Sequence, residues 1–313
     1  MAEDKNTASE KNILQPNRLW SRTVEQTKYA LNCGALQSIA TNHEFVEENG
    51  IRFLVRSLAN LVRKDTAKQQ EQKKTPAGKD FNPFLPYEQD LFVADISDTH
   101  LCLLNKYNVV ENHLLIITHG FEEQNNWLNQ QDFEAMGACL TVIDGLAFYN
   151  GGQEAGASQR HKHLQIVPFP LIPDGERIPI ASALAAATFV DGIGTTTHFP
   201  FHHAFAKLEL SRIKSPLEAG KIARECYGTL LKALGLAYNP AQEIKQSGAY
   251  NLLATREWMM IVPRSRESFA SISVNSLGFA GTMFVRNQEQ MQVLKQQGIM
   301  RVLSEVGYQK NWV

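Results

Sequence analysis

The 313-residue sequence predicts an α+β fold, a mixed or antiparallel β-sheet flanked by helices. Three strand-like runs follow one another, "DLFVADIS", "HLCLLNKYNVV" and "HLLIITHG". A stretch of helical spacing comes next, "NQQDFEAMGACLTVIDGLA", with Phe133, Met136, Leu140 and Ile143 in step. A further strand, "HLQIVPFPL", then returns, so strands gather around one amphipathic helix and the helices are expected on one side of the sheet.

The remaining elements follow in order. A first helix is expected over residues 17–33, with Leu19, Val24, Tyr29 and Leu31 as its apolar positions. "FVEENGIRFLVRSL" reads as a hairpin turning at Asn49-Gly50. Residues 64–79, "KDTAKQQEQKKTPAGK", are almost purely polar and read as a solvated loop. After the proline-rich "PFPLIPDGERIP", a second lobe is expected. It holds "HFPFHHAFAKLEL", a helix "PLEAGKIARECYGTLLKALG" ended by Gly235, strand candidates "YNLLATREWMMIVP" and "ASISVNSLGFAGTMFV", and a last helix over 287–306.

Composition narrows the class. Hydrophobic residues make up 43% and charged ones 20%, as in ordinary soluble proteins, and the net charge of -1 argues against a nucleic-acid stripe. The apolar runs are too short to span a bilayer, so no membrane partner is expected. Residues 1–14 are polar, without a signal-type core, and read as a flexible start. Cys33, Cys102, Cys139 and Cys226 form no CxxC pair, which suits a reducing cytoplasm.

Chemistry concentrates in "GASQRHKHLQIVP", residues 156–168. On a strand, positions i and i+2 share a face, so His161, His163 and Gln165 line one surface while Lys162 and Leu164 point to the other. The plainest alternative is a set of hydrogen-bonded interior groups. A second is zinc, which an HxH pair can chelate, but none of His113, His119, His198, His202, His203 or the cysteines adds a recognisable ligand cluster. The third is nucleophilic catalysis on phosphorus. Imidazole, with an ordinary pKa near ~6.5, is largely unprotonated at neutral pH and leaves readily again once protonated. The small residues ahead, Gly156, Ala157 and Ser158 with Gln159, let backbone N–H groups approach a phosphate closely.

The run "NGGQEAGASQRHKHLQ" resembles the active-site signature of the HIT superfamily in its nucleotidyltransferase branch, and most closely that of ATP adenylyltransferases, also called diadenosine tetraphosphate phosphorylases. "NPFLPYEQDLFVADISDTHLCLLNKYNVVENHLLIIT", "YNLLATREWMMIVPRS" and "SVNSLGFAG" extend the likeness over residues 15–310. The resemblance implies a HIT-like catalytic part over 15–180 and a C-terminal part over 181–313 packed on the same nucleotide site. It implies that His163 takes AMP as nucleophile, that His161 holds its ring and tautomer, and that Gln165 stands where the hydrolase branch has a third histidine. Asn105 matches a ribose-contacting position, Lys106 beside it a phosphate contact, and His113 a histidine of the nucleoside side. Asn150 and residues 156–159 would bind phosphates and organise the histidine strand. Asn275, Ser276 and Leu277 fit a nucleotide-facing turn, with Arg286 as a cation for the polyphosphate. Lys64, at the edge of the polar loop next to Arg63, is a further phosphate candidate.

The implied reaction is reversible: diadenosine tetraphosphate and phosphate give ATP and ADP through an AMP–histidine intermediate, with adenylyl sulfate as a further AMP donor. No organic cofactor and no protein metal site are expected; magnesium would accompany the polyphosphate, held by phosphate oxygens and water. Partners are then small nucleotides, and the chain a monomer or weak oligomer. A hexose-1-phosphate uridylyltransferase, which shares the His-x-His-x-Gln logic, and a non-catalytic dinucleoside polyphosphate sensor stay open as alternatives.

Overall fold

The computed structural model describes residues 16–58, 82–173 and 177–310. Residues 1–14, Arg63, Lys64 and the polar stretch 64–79 lie outside the described residues. After a short turn, helix α1 (Leu19–Cys33) buries Leu19, Thr23, Gln26, Thr27 and Ala30. The expected apolar face was different: Tyr29 and Leu31 are exposed. The sequence pattern misled because the packed face uses small and polar groups, two of which find hydrogen-bond partners. Thr23 Oγ1 donates to the Leu19 carbonyl and Gln26 Nε2 to that of Asp90.

The hairpin is present as β1 (Thr41–Glu48) and β2 (Ile51–Leu58), with Asn49 and Gly50 both at positive φ in a two-residue turn. Three strands follow: β3 (Phe92–Asp95), β4 (His100–Leu104) and β5 (Leu114–Thr118). Helix α2 (Gln130–Leu140) starts at a capping box, in which Asn129 and Asp132 satisfy each other's backbone N–H. It stops earlier than the spacing suggested. Residues 145–147, read as its tail, begin strand β6 (Gly145–Gly151), buried along its whole length. A strand covered on both faces loses the alternation that announces a strand. Strand β7 (His163–Pro168) carries the two-histidine motif.

The second half supplies α3 (Ala181–Ala185), β8 (Thr188–Val190), β9 (Ile193–Thr195), β10 (Ala204–Lys207) and α4 (Pro216–Ala233), the last capped by Ser215 with proline in its first turn. "YNLLATREWMMIVP" is a hairpin of two strands, β11 (Tyr250–Ala254) and β12 (Trp258–Pro263). "ASISVNSLGFAGTMFV" is likewise divided. The small hairpin β13 (Ser268–Phe269) and β14 (Ile272–Ser273) leads into the short helix α5 (Ser276–Phe279) and strand β15 (Thr282–Val285). The expected last helix breaks at Gly298, at φ 83°, into α6 (Gln288–Gln297) and α7 (Ile299–Val306). The Glu48 carboxylate accepts from the Ile299 N–H at 2.6 Å, so the new helix start is satisfied by the hairpin.

One sheet joins the two halves. Its order is β3-β4-β5-β7-β6-β11-β12-β10-β9-β8, every pair antiparallel, with β6 of the first half bonded to β11 of the second. Helices α1, α2 and α4 cover one face through a core that includes Phe133, Met136, Leu164, Ile166, Tyr227 and Leu252. The opposite face is not bare, as a one-sided arrangement would require. It is covered by α5, α6, α7 and a small sheet, in which β15 pairs parallel to β2. A separate cluster of Phe84, Leu101, Leu103, Leu115 and Ile117 covers the same face at the β3–β5 end. Between these two clusters the sheet face carries polar groups.

Candidate active site

Alternation along β7 sends Leu164 and Ile166 into the helix-side core and Val167 to the other face, so His163 and Gln165 lie on the face shared with Val167. The expected division of the motif therefore holds. Lys162 points the opposite way and is buried to 1% exposure. Its Nζ lies 2.6 Å from Asp132 Oδ2 at the start of α2 and 3.1 Å from Glu122 Oε2 and the Trp127 carbonyl. Asp132 also pairs with His100 Nε2 at 3.0 Å. Burial pushes the Asp132 carboxyl up, but the His100 hydrogen bond and the Lys162 charge outweigh it and hold the group below its ordinary range.

His163 is only 5% exposed. Its Nδ1 lies 2.8 Å from the His161 carbonyl oxygen, so Nδ1 carries the proton, and Nε2 is left with the lone pair. Burial lowers its pKa to about 4, against the smaller upward pull of that backbone bond. The ring is therefore a neutral, oriented base at physiological pH. Phe84 meets it edge-on at 5.4 Å between centroids and meets His161 at 5.6 Å.

The tautomer is held by the backbone of His161 and not by its ring. That ring turns its Nε2–H to the Thr118 and Gly120 carbonyls at 2.9 and 3.1 Å, and its Nδ1 accepts from Asn82 Nδ2 at 3.1 Å. Burial also lowers the His161 pKa. Gln165 is held by a relay. Asn105 Nδ2 donates to His113 Nδ1 at 3.2 Å, and His113 Nε2–H donates to Gln165 Oε1 at 3.0 Å. With its oxygen committed, Gln165 turns its NH₂ end to the outside of the relay. Asn105 Oδ1 also accepts from the Tyr107 N–H, so this side chain works as a strand-end turn residue as well. Lys106 is ion-paired with Glu88.

The loop between β6 and β7 rests on the second half of the chain. Asn150 is 2% exposed and its Oδ1 accepts from Asn251 Nδ2, the Ser276 N–H and Ser276 Oγ at 2.8–3.0 Å. Asn251 Nδ2 also reaches the Ala155 carbonyl at 2.9 Å. Arg264, likewise buried, donates to Asn251 Oδ1 and to the Val274 carbonyl. Burial lowers its guanidinium to about 9, which leaves it cationic at neutral pH. Gly156 sits at φ 87°, and a Cβ there would lie 2.8 Å from the Val274 carbonyl oxygen. Asn275 caps α5, Ser276 and Leu277 are buried within it, and Arg286 is exposed at the end of β15. Ala157 and Gln159 are half-buried and Ser158 is exposed.

His161, His163, Gln165 and His113 thus come together on one face, and Asn150, Gly156, Asn275 and Ser276 meet at the end of β6. Asn82, Phe84, Thr118, Gln124, Asn251 and Arg264 belong to the same construction, but spacing gives none of them a role, since each has a partner distant along the chain. The competing zinc reading finds no support. His203 Nε2 accepts from the Thr196 N–H at 3.1 Å, and among the described residues no cluster of three or more His, Cys, Asp or Glu is placed to hold a metal.

Comparison with known proteins bears on this geometry. Residues 9–186 match the sequence model of the Ap4A phosphorylase N-terminal domain, and residues 197–309 that of the ATP adenylyltransferase C-terminal domain. The chain is 26% identical to Protein APA1 of Saccharomyces cerevisiae, over 94% of this chain and 95% of that one. It is 27% identical to diadenosine 5',5'''-P1,P4-tetraphosphate phosphorylase 2 of the same yeast, over 73% and 76%. The crystal structure of yeast Ap4A phosphorylase Apa2 in complex with Ap4A shares the fold, with a TM-score of 0.74 at 22% identity over 94% of this chain and 98% of that one. A dry histidine with its tautomer fixed, on a fold shared end to end, agrees with both domain matches: the chain is a nucleotidyltransferase of the Ap4A phosphorylase (ATP adenylyltransferase) family.

Proposed function

We propose that the chain splits diadenosine tetraphosphate with inorganic phosphate in two displacements at His163. Nε2 attacks the α-phosphorus of one adenosine end, the P–N bond forms, and ATP departs with the electron pair of the broken P–O bond. The adenylylated ring is then positively charged, and the His161 carbonyl, 2.8 Å from Nδ1, sits where that charge is shared. An oxygen of phosphate attacks the same phosphorus, ADP forms, and the electron pair returns to Nε2. The reverse sequence makes diadenosine tetraphosphate from ATP and ADP.

The observation that carries this reading is the neutral, dry His163 ring with Nδ1 committed and Nε2 holding the lone pair. Gln165 offers an NH₂ to a phosphoryl oxygen but cannot take up a proton, so an acceptor that arrives already anionic is favoured over water. Magnesium enters as part of the polyphosphate substrate, with phosphate oxygens and water as its ligands. Adenylyl sulfate fits the same α-phosphorus chemistry as an AMP donor. A cytoplasmic setting accords with the four cysteines being thiols.

The test is to mix the protein with labelled diadenosine tetraphosphate without phosphate, quench, and map the adduct by mass spectrometry. AMP is expected on the peptide holding residues 161–165, and His163→Ala should remove it while nucleotide binding survives. AMP on another peptide, or turnover by His163→Ala near the unsubstituted rate, overturns the mechanism.

A further inference from the structure

The sheet is interrupted at the nucleophile. Pairing between β6 and β7 runs in regular register from Gly145 opposite Pro168 to Phe148 opposite Gln165. Carried two residues further, the same register sets Asn150 opposite His163, and a continuous ladder would join their backbones directly. The carboxamide of Gln124 occupies that rung. Its Oε1 accepts from the His163 N–H at 2.8 Å, and its Nε2 donates to the Asn150 and His163 carbonyls at 2.9 and 3.2 Å. An amide side chain thus takes the place of a peptide group, and it holds the two strands apart while satisfying both.

The rest of Gln124 is equally committed. Its N–H donates to the Arg160 carbonyl at 2.7 Å, and its carbonyl accepts from the Tyr149 hydroxyl. Glu122 accepts from the Lys162 N–H at 2.8 Å, and Glu123 bridges to His161. Ahead of His163, then, the histidine strand exchanges β6 for the segment 122–124 as its neighbour. At 3% exposure Gln124 is sealed from solvent, so none of these bonds competes with water.

The location of His163 Nε2 follows from this arrangement. Nδ1 is tied to a carbonyl of its own strand two residues back, so the ring travels with backbone 161–163 as one piece. Whatever fixes that backbone fixes the attacking atom. On the β5 side the ladder continues through Ile117 opposite His163. On the β6 side the fixing group is Gln124.

We infer that Gln124 is a positioning residue for the adenylyl transfer, which sets the attacking nitrogen by replacing one rung of the sheet. This rests on His163 being the nucleophile. The Oε1 of Gln124 and both Nε2 hydrogens are already spent on backbone groups at a buried position, so its loss should spare nucleotide binding and slow the displacement. A misplacement on the order of 1 Å at a reacting atom costs about 10²-fold in rate.

Two substitutions test it. Gln124→Met keeps the length and removes every side-chain hydrogen bond; Gln124→Glu keeps the acceptor for His163 and, held protonated by burial against two carbonyls, one of the two donors. Single-turnover formation of labelled AMP–protein from diadenosine tetraphosphate should slow by about 10–10²-fold in Gln124→Met and less in Gln124→Glu, with half-saturation moved by less than about 3-fold. Hydrogen exchange at the His163 amide, read on the 160–165 peptide, should accelerate in Gln124→Met. Rates normalised to the folded fraction separate positioning from mere loss of stability. A normalised rate within about twofold of the unsubstituted protein, or an increase confined to half-saturation, overturns the inference. So does unchanged exchange at 160–165, which reads out even where no AMP adduct forms. Absence of that adduct in the unsubstituted protein defeats the nucleophile reading instead.

Discussion

The buried state of His163 makes a quantitative prediction about the first displacement. Only the neutral ring can attack, so the rate should fall as pH falls through the pKa of the folded protein. Burial sets that pKa at about 4. An imidazole with the ordinary value near ~6.5 would be ~9% neutral at pH 5.5, whereas one at about 4 is ~97% neutral there. The substrate does not blur the comparison. Every phosphorus of diadenosine tetraphosphate is bridged on both sides, so it lacks the secondary ionisation near ~6 that a phosphate monoester has. Omitting phosphate removes the other titrating reactant. The assay is rapid-quench single turnover of labelled substrate between about pH 5.5 and pH 8, with protein in excess of substrate but well below half-saturation, so that the rate reports the ionisation of the free protein, counting AMP bound to protein. The rate should change by less than about 1.2-fold across that range, with any acid limb below it. A roughly tenfold fall by pH 5.5, with a midpoint near ~6.5, would mean a solvated ring and would refute the dry-nucleophile argument.

Three further outcomes test other parts of the construction. Gln165→His supplies a group that can exchange a proton, so the ratio of ADP to AMP formed in the presence of phosphate should drop; an unchanged ratio counts against the role given to the amide. Gly156→Ala must hold a side chain at φ 87° and 2.8 Å from the Val274 carbonyl oxygen, so stability should drop by about 1–3 kcal/mol in urea unfolding, and half-saturation for nucleotide should rise. Full retention of both would mean that the loop does not rest on residues 274–275. Lys162→Met leaves the Asp132 carboxylate in the core with His100 and the Asn129 N–H but without its lysine, which should cost about 3–5 kcal/mol in the same unfolding assay, and a loss below about 1 kcal/mol would show the ion pair to be dispensable.

What the sequence discloses here depends on how far each group's partners lie. His161, His163 and Gln165 were legible because the strand period converts spacing of two into a shared face, a local fact. The hairpin at Asn49-Gly50 and the helix between Ser215 and Gly235 were legible for the same reason: turn and cap chemistry acts over a few residues. Strand β6 was hidden because burial on both sides erases alternation, and its start continues the apolar spacing of α2. The exposed Tyr29 and Leu31 show the converse, a local apolar pattern overruled by what lies opposite α1, where Asp90 accepts from Gln26 through its carbonyl and from the Tyr29 hydroxyl through its carboxylate. Gln124 acts on backbone atoms 39 residues away, and no side-chain pattern encodes such a contact. Arg264 follows "MMIVP" with no local pattern that announces its burial, yet it is enclosed by five acceptor groups, among them the Val306 carbonyl and Asn251 Oδ1.

The joint between the halves explains why the surroundings of His163 cannot be read from the first half alone. The loop after β6 is fastened by the Asn251 amide to the Ala155 carbonyl, by Gln246 Nε2 to the Gly151 carbonyl, and by the contact of Gly156 with residues 274–275. Asn251 is in turn aimed by Arg264, which spans from β12 to the end of α7 through the Val306 carbonyl. The Asn251 and Arg264 bonds are buried, where an unmet partner is costly, and the close approach of Gly156 to residues 274–275 leaves the loop no room to shift, so the arrangement is fixed as a unit. The loop after β6 therefore takes its shape from residues 246–275 downstream, while the histidine strand is met by Gln124 upstream. The His163 ring and the loop are set by different segments, and they keep their relation because β6 bonds to β7 along one edge and to β11 along the other. A single sheet through both halves is the simplest frame that holds the two independently built parts at one fixed distance.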